Sequence, residues 1–126
     1  MQYMTMICDI KNSRLIEDRE AVQYKLIETL KKANTNFASA IASPFIIVLG
    51  DEWQGLLNYP TDYMPIIDFF HNNLQDIDFY CAIGVGDITI HNFELTVNQL
   101  DGPSFYKARN ALETAKKNNY SLVYIQ

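Results

Sequence analysis

Three acidic side chains stand where chemistry can be done. Asp9 ends the apolar run Tyr3-Met4-Thr5-Met6-Ile7-Cys8, and Asp51-Glu52 follow Gly50 after a second apolar run, Phe45-Ile46-Ile47-Val48-Leu49. Carboxylates meeting at the end of a sheet are the donors a hard divalent cation takes. Magnesium prefers one or two of them, completing an octahedron with water and substrate phosphates. Asp9, Asp51 and Glu52 supply that set, with the Ile10 carbonyl also in reach. The segment Lys11-Asn12-Ser13-Arg14 then turns into a helix N-terminus, where free N–H groups favour an anion. Arg14 adds a bidentate phosphate contact, beside the Ser13 hydroxyl. A triphosphate with its metal fits this layout. Both aspartates also have plain backbone reasons: Asp is common at hairpin turns, and Asp9 can simply start a loop.

The elements that must position these residues follow from periodicity. Tyr3 to Cys8 reads as a central buried strand. From Leu15 to Phe37, Val22, Leu26, Leu30, Ala33 and Phe37 recur every three or four residues and predict one helical face. Phe45–Leu49 is a second buried strand. Gly50-Asp51 turns it back onto Trp53–Leu57. A second helix starts after Pro60, capped by Thr61 or Asp62, with Pro65 in its first turn. Phe79–Val85 is a fourth strand, which Ile88-Thr89-Ile90 extend as a hairpin. Gly102-Pro103 opens a third helix, lined by Phe105, Ala108, Leu112 and Ala115, and Leu122–Ile125 is a last strand. The order β-α-β-β-α-β is that of a ferredoxin-like α+β sheet with helices on one face, here with an added C-terminal helix and strand. Right-handed crossovers place the first and third strands side by side, so Asp9 and Asp51 meet at one edge.

Composition excludes several classes. The 126 residues suffice for one domain, 1–126. Ten Lys and Arg against 15 Asp and Glu give a net charge of −5, which repels phosphate backbones at long range and argues against nucleic-acid binding. No window is long and apolar enough to span a membrane. Cys8 and Cys81 both lie in apolar runs and read as reduced core residues, which points to the cytoplasm.

Four blocks, in order along most of the chain, resemble the SatD family. They are Asp9-Ile10-Lys11-Asn12-Ser13-Arg14, Leu49-Gly50-Asp51-Glu52-Trp53-Gln54-Gly55, Ala82-Ile83-Gly84-Val85-Gly86 and Asp101-Gly102-Pro103-Ser104-Phe105-Tyr106-Lys107-Ala108-Arg109. That family is in turn similar to the catalytic palm of class III nucleotidyl cyclases and GGDEF diguanylate cyclases. The resemblance implies a nucleotidyl-cyclase-like palm in which Asp9 and Asp51 bind Mg²⁺ or Mn²⁺ beside a nucleoside triphosphate. It matches Glu52 to the hairpin glutamate and makes Lys107 and Arg109 phosphate contacts. It also implies a homodimer, and nucleotidyl or phosphoryl transfer with Asp9 and Asp51 as catalytic residues. Cys8 and Leu49 replace glycines of the pattern, and Phe105 stands four before Arg109 where class III cyclases carry an Asn. Those departures favour an alternative, a catalytically silent palm acting as a regulatory or stress-response module.

The remaining candidates have structural readings. Trp53 packs. His71 and His91 lack a third ligand at metal spacing. Gly84 and Gly86 allow a bulge or a close backbone approach. Asp87 belongs to a turn, and Lys116-Lys117 is a solvated helix end favoured by the helix dipole.

Overall fold

The computed structural model describes residues 1–126. Strand β1 (Gln2–Ile10) leads through a short 3₁₀ turn at Ser13–Leu15 into helix α1 (Arg19–Asn36). Strands β2 (Ile41–Leu49) and β3 (Glu52–Asn58) form the hairpin, followed by helix α2 (Met64–Asn73) and strand β4 (Phe79–Asp87). Helix α3 (Pro103–Asn118) and strand β5 (Leu122–Ile125) complete the chain. The five strands are ordered β2-β3-β1-β4-β5, antiparallel except for the β4–β5 pair. As right-handed crossovers predict, β1 and β3 are neighbours at the centre of the sheet. No helix is long and apolar enough to cross a membrane.

Helices α1 and α2 cover one face. Met4, Met6, Cys8 and Ile10 of β1 meet Leu26, Leu30 and Ala33 of α1 and Ile66, Ile67, Phe70 and Leu74 of α2. Trp53 is fully buried there against Phe70 and Phe79, its indole N–H without an acceptor. This is packing, as expected for an indole in a core. Cys8 and Cys81 are also buried here, unbridged, and burial pushes the Cys8 thiol well above its ordinary pKa.

The two helices of the βαββαβ unit thus share one face, as its order predicts. Helix α3 lies on the opposite face, where Ala108, Ala111 and Leu112 meet Ile7 and Ala82. With β5 parallel to β4 and α3 on that side, the crossover between them is left-handed, against the usual preference. The connection of residues 88–102 makes this route feasible. It is not the expected hairpin: the Thr89 N–H bonds the Asp101 carbonyl, and a 3₁₀ turn at Val97–Gln99 carries a Thr96 capping box. Val97 and Leu100 cover Leu56 and Tyr3 on the side of α3. Both faces of β1 are therefore buried, which is why its sequence is an almost unbroken apolar run.

Gly84 is where α3 touches down. A Cβ there would stand 2.5 Å from the Ser104 carbonyl oxygen and collide with the backbone nitrogen of Ala108. Close backbone approach is the reason for this glycine, rather than a bulge. Gly102, at φ 138°, adopts a backbone conformation that other residues avoid and lets Pro103 start the helix.

Candidate functional site

The site forms where β1 ends, the β2–β3 hairpin turns and the Arg109–Lys116 stretch of α3 passes. Asp9 and Glu52 are directly opposite each other on adjacent strands. The Ile10 N–H bonds the Asp51 carbonyl at 3.0 Å, so Asp9 and Glu52 occupy a non-hydrogen-bonded pair, the arrangement in which facing side chains stand closest. Both carboxylates lie on the α3 face and both are buried. Like charges so placed repel, and burial raises the cost of each.

Helix α3 answers with two cations. The Arg109 guanidinium clamps Glu52 through both oxygens, at 2.9 and 3.0 Å. The Lys116 ammonium is ion-paired with Asp9. Arg109 and Lys116 are seven residues apart, two helical turns, and so share one side of α3. In each pair the acid is sheltered and the base reaches from solvent: side-chain exposures are 4% and 45% for Glu52 and Arg109, 7% and 47% for Asp9 and Lys116. Burial pushes the Asp9 carboxyl above the ordinary aspartate range. Lys116 pulls it back, and the charges of Asp51 and Glu52 push the same way as burial.

On the other side of Asp9, the hairpin and the turn after β1 meet. The Ser13 hydroxyl donates to the Asp51 carboxylate at 2.7 Å. Asn12 turns the chain in the left-handed region at φ 52°, a conformation Asn tolerates. An open cavity of about 430 Å³ joins Asp9, Ile10, Ser13, Arg14, Asp51 and Lys116. Arg14 lines it without an ion pair of its own. Arg19, at the start of α1, donates to the Gly50 carbonyl at 2.8 Å and keeps a second buried guanidinium nitrogen unpartnered beside the hairpin.

The structure thus brings together Asp9, Ile10, Ser13, Arg14 and Asp51, and sets Arg109 and Glu52 against each other at their border. It does not bring Lys107 there. That ammonium donates to the Val85 carbonyl at 3.0 Å, and Val85 pairs with Met4, five residues and roughly 17 Å along β1 from Asp9. The expected helix N-terminus is not an anion site either. Helix α1 starts only at Arg19, and the Asp18 carboxylate caps it by accepting from the Ala21 N–H. Sequence reasoning missed Lys116, treated as a solvated helix end. Its signal was present: it follows Leu112 by four and Arg109 by seven, beside the buried stripe of α3.

Asp9, Asp51 and the Ile10 carbonyl are hard oxygen donors, the type that suits Mg²⁺ or Mn²⁺. No three His, Cys, Asp or Glu side chains are gathered closely enough to hold an ion unaided. Glu52, expected beside Asp9 and Asp51, has both oxygens engaged by Arg109.

The sequence matches the SatD family over residues 3–125. The chain belongs to the SatD family. Its fold is that of nucleotidyl cyclase palms. A GGDEF domain from Pseudomonas aeruginosa superposes with a TM-score of 0.66 at 16% identity, covering 99% of this chain and 83% of that one. The dimeric guanylyl cyclase domain of the RhoGC fusion protein from Blastocladiella emersonii gives 0.63 at 16% identity, over 90% and 74% of the two chains. A bacterial light-regulated adenylyl cyclase gives 0.64 at 11% identity, over 98% and 74%. A comparison with curated protein sequences returns no match. At these identities the likeness concerns the fold.

Proposed function

We propose that this SatD-family domain binds a nucleoside triphosphate together with Mg²⁺ or Mn²⁺ at the end of β1. The observation that carries the reading is the set of charges at one sheet end: two aspartates beside an open cavity, with the cations Lys116 and Arg14 on its walls. Asp9, Asp51 and the Ile10 carbonyl would hold the cation. When bound, it neutralises phosphate charge and polarises a phosphoryl oxygen. Lys116, Arg14 and the Ser13 hydroxyl would meet the phosphates, and Arg109 keeps Glu52 neutralised and in place. The cyclase-type folds of its structural neighbours support this reading, as does the oxygen-only donor set.

One observation favours binding without turnover. Phe105, at the position where class III cyclases carry Asn, is buried with Leu56 and Val97 and cannot reach a ligand at Asp9. A nucleotide-responsive regulatory palm is therefore the second reading. Nucleotidyl transfer, if the domain performs it, proceeds without that side chain. A homodimer and a cytoplasmic location remain parts of the proposal.

Calorimetric titration of a nucleoside triphosphate panel, with Mn²⁺ and then with chelator, tests the binding. The wild type is expected to bind only with metal. Asp9→Asn/Asp51→Asn is expected to weaken binding at least tenfold. Absence of binding by folded wild-type protein sinks the proposal and leaves a palm that works through protein contacts.

A further inference from the structure

We infer that Lys116 is an exchangeable latch that closes the cation site until a polyphosphate arrives. The inference rests on the proposed reading of the site and adds how its two ligands are coupled. Asp9 is the more sheltered of the two candidate cation ligands, and its carboxylate is neutralised by Lys116. A divalent cation approaching alone must displace that ammonium or sit beside it, and either repels it. Lys116 lines the open cavity and its side chain is about half exposed, 47%, so the ammonium can leave Asp9 without disturbing packing. A phosphate oxygen in the same cavity gives it somewhere to go. The ammonium is a compact charge on a flexible stem, suited to exchanging partners. Arg109 is not: its two parallel hydrogen bonds hold Glu52 as a fixed pair.

Lys116 thus changes partner from carboxylate to phosphate as Asp9 changes partner from ammonium to metal. Each ligand removes the obstacle to the other, so cation and polyphosphate bind with positive coupling, and the coupling is reciprocal. The domain would answer to the metal–polyphosphate complex while ignoring free divalent cation.

The test uses Mn²⁺ alone, inorganic tripolyphosphate alone, and both together, in calorimetric titrations of the full chain. In the wild type, tripolyphosphate is expected to tighten Mn²⁺ binding roughly tenfold or more. Lys116→Gln is expected to bind Mn²⁺ alone several-fold more tightly than wild type, and to lose the part of the coupling that exceeds direct contact between cation and phosphate. Asp9→Asn is expected to do the converse, binding metal-free tripolyphosphate more tightly because the ammonium is released. Circular dichroism checks that each variant is folded, and either variant suffices for the test. If both ligands bind the wild type but neither substitution shifts the affinity for the single ligand, the latch is wrong and the site stands. If the wild type binds neither ligand in any combination, both the site and the latch fall.

Discussion

The first turns of α3 and the stretch from Arg109 to Lys116 use similar residues to opposite ends. In the first turns, the helix is pressed directly onto the sheet at Gly84. The buried Ser104 hydroxyl lies 2.7 Å from that of Thr5 and donates to the Gly84 carbonyl at 2.9 Å. Lys107 is tied to the Val85 carbonyl. From Arg109 onward, the charged contacts with the sheet end are those of Arg109 and Lys116, whose partners are carboxylates at the border of a cavity. Lys107 and Lys116 are the same residue type on the same helix, nine positions apart, and only their surroundings distinguish an anchor from a binding group. A helix docked on the sheet by its first turns can present a fixed charge at Arg109 and an exchangeable one at Lys116 without losing its position.

The largest effect is expected where that docking is attacked. Gly84→Ala forces a Cβ into the backbone of α3 and is expected to destabilise the fold by about 3 kcal/mol or more, read from chemical denaturation. A loss below about 1 kcal/mol would mean that α3 sits further from the sheet and that the contrast between its two stretches is overstated.

The next effect separates the two ion pairs. Arg109→Met leaves the sheltered Glu52 without its partner and is expected to cost about 2 kcal/mol, discounted from a fully buried pair because Arg109 reaches solvent. Adding Glu52→Gln is expected to recover most of that loss in a double-mutant cycle. Additive losses would instead show that the two side chains do not act as a pair.

The smallest effect sharpens the comparison of the two lysines. Lys107→Met removes one hydrogen bond and is expected to cost under about 1 kcal/mol, with nucleotide affinity unchanged. A large loss of nucleotide binding in a stable Lys107→Met protein would return that residue to the site and undo its assignment as an anchor.

Much of this was legible in the chain itself. The apolar runs and the helical stripe from Val22 to Phe37 mark the strands and α1, and the βαββαβ order alone brings Asp9 beside the hairpin. The side of the sheet that α3 takes was not legible. The preference for right-handed crossovers argues for the α1–α2 face, and only the long 88–102 connection hints otherwise. With the face unknown, Arg109 and Lys116 could not be matched to their carboxylates, and Lys116-Lys117 looked like an ordinary helix end. The start of α1 was misjudged for a local reason: Leu15 and Ile16 continue the apolar pattern, but the left-handed Asn12 and the Asp18 cap set the helix to begin at Arg19. Lys107 was assigned from its motif, which carries no information on where a side chain points.

The most direct measurement of the central proposal is nuclear magnetic resonance of the labelled protein titrated with Mn²⁺ and a nucleoside triphosphate. Paramagnetic broadening falls steeply with distance from the ion. The expected result is loss of signal centred on Asp9–Arg14 and Gly50–Glu52, taking in their strand partners Phe79 and Tyr80 and the neighbourhood of Lys116, and weakening toward Tyr3, Val85 and Lys107. Broadening centred elsewhere on the molecule, or none at saturating ligand, would contradict a cation site at the end of β1.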